Sequence, residues 1–243
     1  MSGPLFARRI RAIGQFRVDT PSQPVLLERD AHHLWRVLRA NDGEEVVVTD
    51  GAGQFAFARV NDRSIERVSD LFNDPPPPPS SLYLAPLKGD RSEWAVAKAT
   101  ELGVATIVPL LSERVLLKVR GEQRDKLTNK WKKVAAEAAA QSRRTHDMII
   151  GDPVKVANVP REVAVAQFGG DAVLSGVTAI AIGPEGGWAE GEWDQNRATV
   201  GLGATVLRAE TAALAAATLL VCRREGWSRF GDGANLGHDE GEK

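Results

Sequence analysis

Two polar clusters embedded in glycine-rich stretches hold most of the chemistry this chain could perform. One is Ile182-Gly183-Pro184-Glu185-Gly186-Gly187-Trp188, and the other is Leu202-Gly203 followed by Leu207-Arg208-Ala209-Glu210-Thr211-Ala212. Gly183, Gly186 and Gly187 leave main-chain N–H and C=O groups open to a closely approaching molecule, and Pro184 stiffens the bend between them. Together they read as two backbone-rich loops facing one ligand. Arg208 stands where a helix begins, and a cation there opposes the helix dipole, so its charge is placed for another partner. Glu185 and Glu210 are carboxylates able to accept a proton or to hold Arg208; for Glu210, an acid favoured at a helix N-terminus is an equally good explanation. Nothing in the chain matches the glycine fingerprint of dinucleotide sites or a phosphate loop ending in Gly-Lys-Ser/Thr, so those ligands are poor competitors.

The elements that must position these loops follow from the hydrophobic pattern. Val177 to Ile182 is a short apolar, β-branched run suited to a buried strand, and the second loop comes about one helix and one strand later. A helix from Thr211 to Arg223 closes the pattern. Upstream, strands are predicted at Leu82 to Leu87, Ala105 to Leu110 and Val163 to Gln167, separated by helices, which is the alternation of a parallel α/β domain. Asp90 and Glu93 could form a capping box for the first of these helices. The second, Glu122 to Gln141, repeats Leu127, Trp131, Val134 and Ala138 at helical spacing among lysines.

Five consecutive prolines, Pro75 to Pro79, can neither continue a helix nor pair in a sheet, and they read as a stiff spacer over residues 74–80. Before it, residues 1–73 contain a short helix from about Ala31 to Leu38 and two strands, Glu45 to Thr49 and Gln54 to Val60, around a turn with Gly51 and Gly53. After it, residues 81–230 form the α/β unit, and 231–243 is a polar tail expected to be disordered.

The 243 residues carry a formal net charge of −1, so composition alone does not announce a nucleic-acid partner. The distribution says more: residues 1–40 hold seven arginines against three acids, and residues 114–144 hold ten Lys or Arg against three acids, segments that could present a field to phosphate. A single cysteine, Cys222, excludes an intrachain disulfide framework and a Cys-based zinc site, and its apolar neighbours suggest a buried side chain. The four histidines do not suggest a metal site. No apolar run approaches the roughly 18 residues of a spanning helix, and a soluble, cytoplasmic protein is expected.

The motifs together, I-G-P-E-G-G-W and L-G-x-x-x-L-R-A-E-T-A, resemble the signature blocks of the 16S ribosomal RNA uracil-N3 methyltransferases, members of the SPOUT class. The resemblance continues through Leu87-Lys88-Gly89-Asp90-Arg91-Ser92-Glu93-Trp94, Lys98 to Gly103, Ser112-Glu113-Arg114, Glu137 to Ser142, and Asp30-Ala31-His32-His33-Leu34 with Val37-Leu38-Arg39. It implies a SPOUT-type trefoil-knotted α/β domain preceded by a PUA-like β-barrel RNA-binding domain, acting as a homodimer on 16S rRNA within the small ribosomal subunit. S-adenosyl-L-methionine would be the methyl donor. Its adenine and ribose would be read by Gly183, Pro184, Glu185, Gly186, Leu202, Gly203, Leu207 and Ala209. The catalytic candidates are Arg208, Glu185 and Glu210, because N3 methylation of uracil requires loss of an imino proton and stabilisation of the anion on O2 and O4. RNA contacts fall on His32, Arg36, Arg39, Lys88, Arg91, Arg114, Gln141 and Arg144. The charged set around Lys88 to Glu101 is equally explained by surface ion pairs. Three positions depart from the family pattern: Arg143 stands where Gly is common, Met148 where Pro is common, and Ala189 where a helix-capping Ser is usual. Two alternatives stay open, another SPOUT enzyme acting on tRNA or on a ribose 2′-hydroxyl, and a non-catalytic RNA-binding protein of ribosome assembly.

Overall fold

The computed structural model describes residues 3–115, 121–171 and 176–224, and the tail expected at 231–243 lies outside these described residues. Two separate β-sheets organise the chain.

The first sheet contains β1 (Gln15–Arg17), β2 (Glu45–Thr49), β3 (Gln54–Asn61), β4 (Ser64–Arg67) and β5 (Phe72–Asn73). Here β1 runs parallel to β2, whereas β2, β4 and β5 all pair antiparallel with β3. Alternation along β2 and β3 sends Val46, Val48, Ala56 and Ala58 to one core with Leu34, and Val47, Phe55 and Phe57 to the other face. That second face is closed by α1 (Gly3–Arg11), whose Leu5 packs against the phenylalanine cluster. The sequence pattern did not suggest this helix. Leu34 is buried by a short helical segment, α2 (Glu28–His32) continuing as one turn of π-helix to Val37.

The basic character of residues 1–40 is therefore partly structural. Arg8 makes a bidentate contact with Glu45 at 2.9 and 3.0 Å and lies over the Phe57 ring. Arg9 is buried against Asp74, and Arg17 pairs with Asp147 at 3.0 Å. Arg11, Arg36 and Arg39 remain exposed without an ion pair among the described residues.

The second sheet is wholly parallel, in the order β12-β10-β11-β6-β7-β8 with β9 continuing the β8 edge along β7. Its strands are β6 (Ser81–Leu84), β7 (Thr106–Leu111), β8 (Ile149–Ile150), β9 (Val154–Lys155), β10 (Ala164–Ala166), β11 (Ala179–Ile182) and β12 (Thr199–Val200). Both faces are covered, which is why β6 and β11 read as unbroken apolar runs. Leu82, Leu84, Ile180 and Ile182 face α3 (Arg91–Leu102), α4 (Glu122–Gln141) and α5 (Ala209–Arg224), while Tyr83, Ala179 and Ala181 face Val156, Val159, Trp188 and Trp193.

Several local expectations are corrected. Asp90 occupies the N-cap of α3 but makes no side-chain cap bond, and Glu93 instead pairs with Lys130 of α4 at 2.7 Å. The hydroxyl of Ser92 accepts from the Leu87 amide at 2.7 Å, bending the chain into α3. No helix separates β11 from β12: residues 187–198 hold only turns, bends and irregular chain, consistent with the missing Ser cap at Ala189, although the Ala189 amide still donates to Glu192 at 2.8 Å. Cys222 is half-buried rather than buried.

Candidate functional site

β11 lies at the centre of the parallel sheet, flanked by β10 and β6, and its C-terminal end opens into Gly183 to Trp188. Pro184 to Gly187 is a four-residue turn closed by a 2.9 Å bond from the Gly187 amide to the Pro184 carbonyl, with Gly187 at φ +69°. A Cβ on Gly183 would sit 3.1 Å from the Trp188 indole, so a side chain there would press on that ring. That indole donates to the Ala166 carbonyl at 3.3 Å and packs edge-on against Trp193. After β12, the chain passes Leu202 and Gly203, the latter at φ +141°, and enters α5 at Ala209. This is the carboxyl end of a parallel sheet, where open α/β folds place ligands.

The two loops and the end of β10 enclose a cleft of about 1220 Å³. Gly183, Pro184, Glu185, Leu202, Gly203, Leu207 and Ala209 line it, as do Arg208, Arg91 and Arg114. Gly186 is held at its edge by Arg114, whose guanidinium donates to the Gly186 carbonyl at 2.9 Å. Arg208 is exposed and makes no ion pair or side-chain hydrogen bond among the described residues, while its carbonyl starts α5 by accepting from Ala212 at 2.8 Å.

Glu185 and Glu210 do not hold Arg208. Both face Arg91, at 3.5 and 3.8 Å, and Glu185 also accepts from the Lys88 amide at 3.1 Å. Burial pushes the Glu185 carboxyl up, but the amides of Lys88 and Glu185 and the charges of Arg91 and Lys88 outweigh it, so the group sits below the usual carboxylate range. The residue is an anion at neutral pH and a weak base.

The remaining RNA-contact candidates are dispersed. His32 and Arg36 are exposed on the helical segment that ends at Val37, Arg39 is exposed just after it with φ +54°, and Gln141 is exposed at the end of α4. Arg144 is not at the cleft: its guanidinium donates to the carbonyls of Thr100, Val104 and His146 at 2.8 to 3.1 Å, tying down the end of α3. Arg143 keeps a left-handed backbone, φ +62°, at the position where the family commonly has Gly, and its side chain donates to the Ala12 carbonyl at 2.7 Å. Met148 is buried beside the Thr100 hydroxyl.

The sequence offered Trp188 only as part of the glycine motif, with no role of its own, and did not single out Trp193, Arg197 or Glu192. Glu192 receives the Ser112 hydroxyl and the amides of Glu113 and Ala189, so one carboxylate joins the turn after β7 to the loop after β11. Its spacing of three from Ala189, the residual half of a capping box, was the available signal. Arg197 donates to the Val159 and Val163 carbonyls and lies over Trp193.

This architecture, a parallel α/β layer with a ligand cleft at β11 and a small β-sheet unit before it, defines an RNA methyltransferase of the SPOUT class. Residues 74–221 match the RNA methyltransferase domain family, and residues 26–66 match the RNA methyltransferase PUA domain. The chain belongs to the ribosomal RNA small subunit methyltransferase E family. It is 32% identical to the enzyme of that name from Mycobacterium bovis, over 82% of this chain and 86% of the relative. The solved methyltransferase Lpg2936 of Legionella pneumophila, with bound SAM, superposes with TM-score 0.74 at 26% identity, covering 88% of this chain and 98% of that one. The Neisseria gonorrhoeae ribosomal RNA small subunit methyltransferase E, bound to S-adenosyl methionine, gives TM-score 0.70 at 26% identity, covering 85% and 96%.

Proposed function

We propose that this chain transfers the methyl group of S-adenosyl-L-methionine to N3 of a uridine in 16S rRNA of the small ribosomal subunit. The observation that carries this reading is the cleft between residues 183–188 and 202–209, with Arg208 at its wall and without an ion pair among the described residues. Its lining fits the donor: Ile182, Leu202, Leu207 and Ala212 supply apolar contact for a ring, and glycine-rich backbone supplies donors and acceptors for adenine and ribose. When bound, the donor supplies an electrophilic methyl group on a sulfonium.

The chain's own residues then divide the work. Gly183 to Gly187 and Leu202 to Leu207 hold the donor through main-chain groups. Arg208 stabilises the negative charge that spreads onto the uracil oxygens as the N3 proton passes to solvent water, a fixed cation placed where charge develops. Arg114 braces the donor loop through Gly186. His32, Arg36, Arg39, Lys88 and Gln141 stay as proposed contacts to RNA. The working division of the chain is 1–73 for RNA binding, 74–80 as connector and 81–230 for methyl transfer.

The homodimer implied by the family resemblance is kept as part of this proposal, and Trp94, Phe168 and Val206 are exposed apolar side chains available to a second copy. The setting is the bacterial cytoplasm, where the rRNA substrate is, and no described helix is long and apolar enough to cross a membrane.

The test is primer extension on 16S rRNA from a strain lacking the protein. N3 methylation blocks base pairing, so a stop present in the parent should vanish in the deletion and return on complementation. An unchanged stop pattern would remove the uracil-N3 assignment.

A further inference from the structure

We infer that Arg91 is a positioning residue that clasps the two walls of the donor cleft, rather than a contact to RNA. The inference rests on the proposed donor site and adds to it the group that holds that site closed.

Arg91 is the first residue of α3, directly after the turn in which Ser92 fixes Leu87. Its Nη1 is 3.5 Å from Glu185 of the loop after β11, and its Nε is 3.8 Å from Glu210 in the first turn of α5. Those carboxylates belong to the two segments that enclose the cleft, 25 positions apart in the chain, as the numbers 185 and 210 show. Among the described residues, no other side chain forms ion pairs with both. Glu185 is anchored a second time by the Lys88 amide, so the segment from Lys88 to Arg91 holds that loop at two points. Among the described residues, Glu210 has no such second anchor. Its Oε2 is buried without a hydrogen bond, which leaves Arg91 as the cation within ion-pair distance of that carboxylate.

The consequence is mechanical. Gly183 lies two residues before Glu185, and Arg208 lies two residues before Glu210. One guanidinium therefore sets the separation between the donor loop and the arginine proposed to face the uracil. A planar guanidinium can serve two carboxylates at once, which a lysine ammonium on a flexible stem does less well. With 41% of its side chain exposed, Arg91 acts in partial solvent, so the effect is moderate.

The experiment compares wild type, Arg91→Gln, Arg91→Lys and a Glu185→Gln/Glu210→Gln background, each as the full chain. Donor affinity is read by calorimetry with S-adenosyl-L-methionine, RNA affinity by filter binding of a 16S rRNA fragment, and folding by thermal melting. Arg91→Gln is expected to weaken donor binding roughly five- to tenfold, the size of two partly exposed charge contacts, with RNA affinity and melting unchanged. Arg91→Lys should fall between, and Arg91→Gln should add nothing in the double-glutamine background. Loss of RNA affinity with intact donor affinity would overturn the inference, as would additive effects in that background. If wild type takes up no S-adenosyl-L-methionine, the donor reading itself fails, an outcome separate from equal donor binding by wild type and Arg91→Gln.

Discussion

The guanidinium of Arg9 lies 2.7 Å from the carboxylate of Asp74, with 9% and 18% of the two side chains exposed. The same arginine donates to the Arg143 carbonyl at 2.6 Å, and Asp74 also accepts the Thr145 hydroxyl at 2.6 Å. This knot of contacts joins α1, the connector before β6 and the turn after α4. Around it, Arg143 reaches back to Ala12, the Thr145 carbonyl accepts from the Gly53 amide, and Ala52 bridges to His146. The two sheets are thus fastened by polar contacts drawn from short, distant segments.

Removing one partner of a buried, hydrogen-bonded ion pair leaves the other charge uncompensated. Arg9→Ala is expected to lower unfolding free energy by about 3 kcal/mol, measured by urea denaturation. A loss within error of zero would show that the junction contributes nothing to stability.

Arg208→Ala should reduce kcat about 10²- to 10³-fold, the usual cost of removing a group that stabilises developing negative charge. Because donor contacts are assigned to backbone and apolar groups, calorimetric affinity for S-adenosyl-L-methionine should be unchanged. Parallel loss of both would mean that Arg208 only shapes the cleft.

Gly201 and Gly170 bring backbone against backbone beside β12. A Cβ on Gly201 would sit 2.6 Å from the Gly170 carbonyl oxygen, and main chain cannot step aside as a flexible side chain can. Gly201→Ala should therefore cost about 1–3 kcal/mol of stability and loosen the second loop, lowering donor affinity as well. Unchanged urea midpoint and donor affinity would contradict the packing described.

The Glu45 carboxyl is held below its ordinary value mainly by its hydrogen bonds from Arg8; burial pushes it up by less than that, and the charge of Arg8 and the hydrogen bond and charge of Arg59 add smaller downward contributions. A depressed folded value means that this stabilisation is present above the unfolded carboxylate pKa and is lost as pH falls through the lower folded one. The stability gap between wild type and Glu45→Gln should be open at neutral pH and close in acid below the usual carboxylate range. Urea midpoints of both proteins across that range provide the check; a gap independent of pH would rule out the Arg8 contact as its source.

Much of this architecture is legible in the amino-acid order. Strands at β6, β7, β10 and β11 could be read because a strand covered on both faces must be apolar throughout, and α4 because Trp131 and its neighbours recur at helical spacing. The glycine loops were legible for a related reason: Gly187 and Gly203 take positive φ, and a side chain at Gly183 would press on the Trp188 indole. Local sterics write such features into local sequence. α1 escaped notice because its apolar stripe is short and its arginines, three of nine residues, resemble a solvated face until Phe55 and Phe57 are placed beneath them.

Charge partnership is different, because it depends on which segments the fold brings together. Arg91, Arg114 and Arg144 are equivalent as cations in sequence, yet one faces the carboxylates of Glu185 and Glu210, one holds the Gly186 carbonyl and one ties down the end of α3. Glu185 and Glu210 were natural partners for Arg208 by proximity along the chain and turned instead to Arg91. Local composition determined that there would be a strand, a glycine turn and a helix at this site. The insertion of β11 between β10 and β6, a relation among segments far apart in the chain, decided which charges meet and left Arg208 facing the cleft.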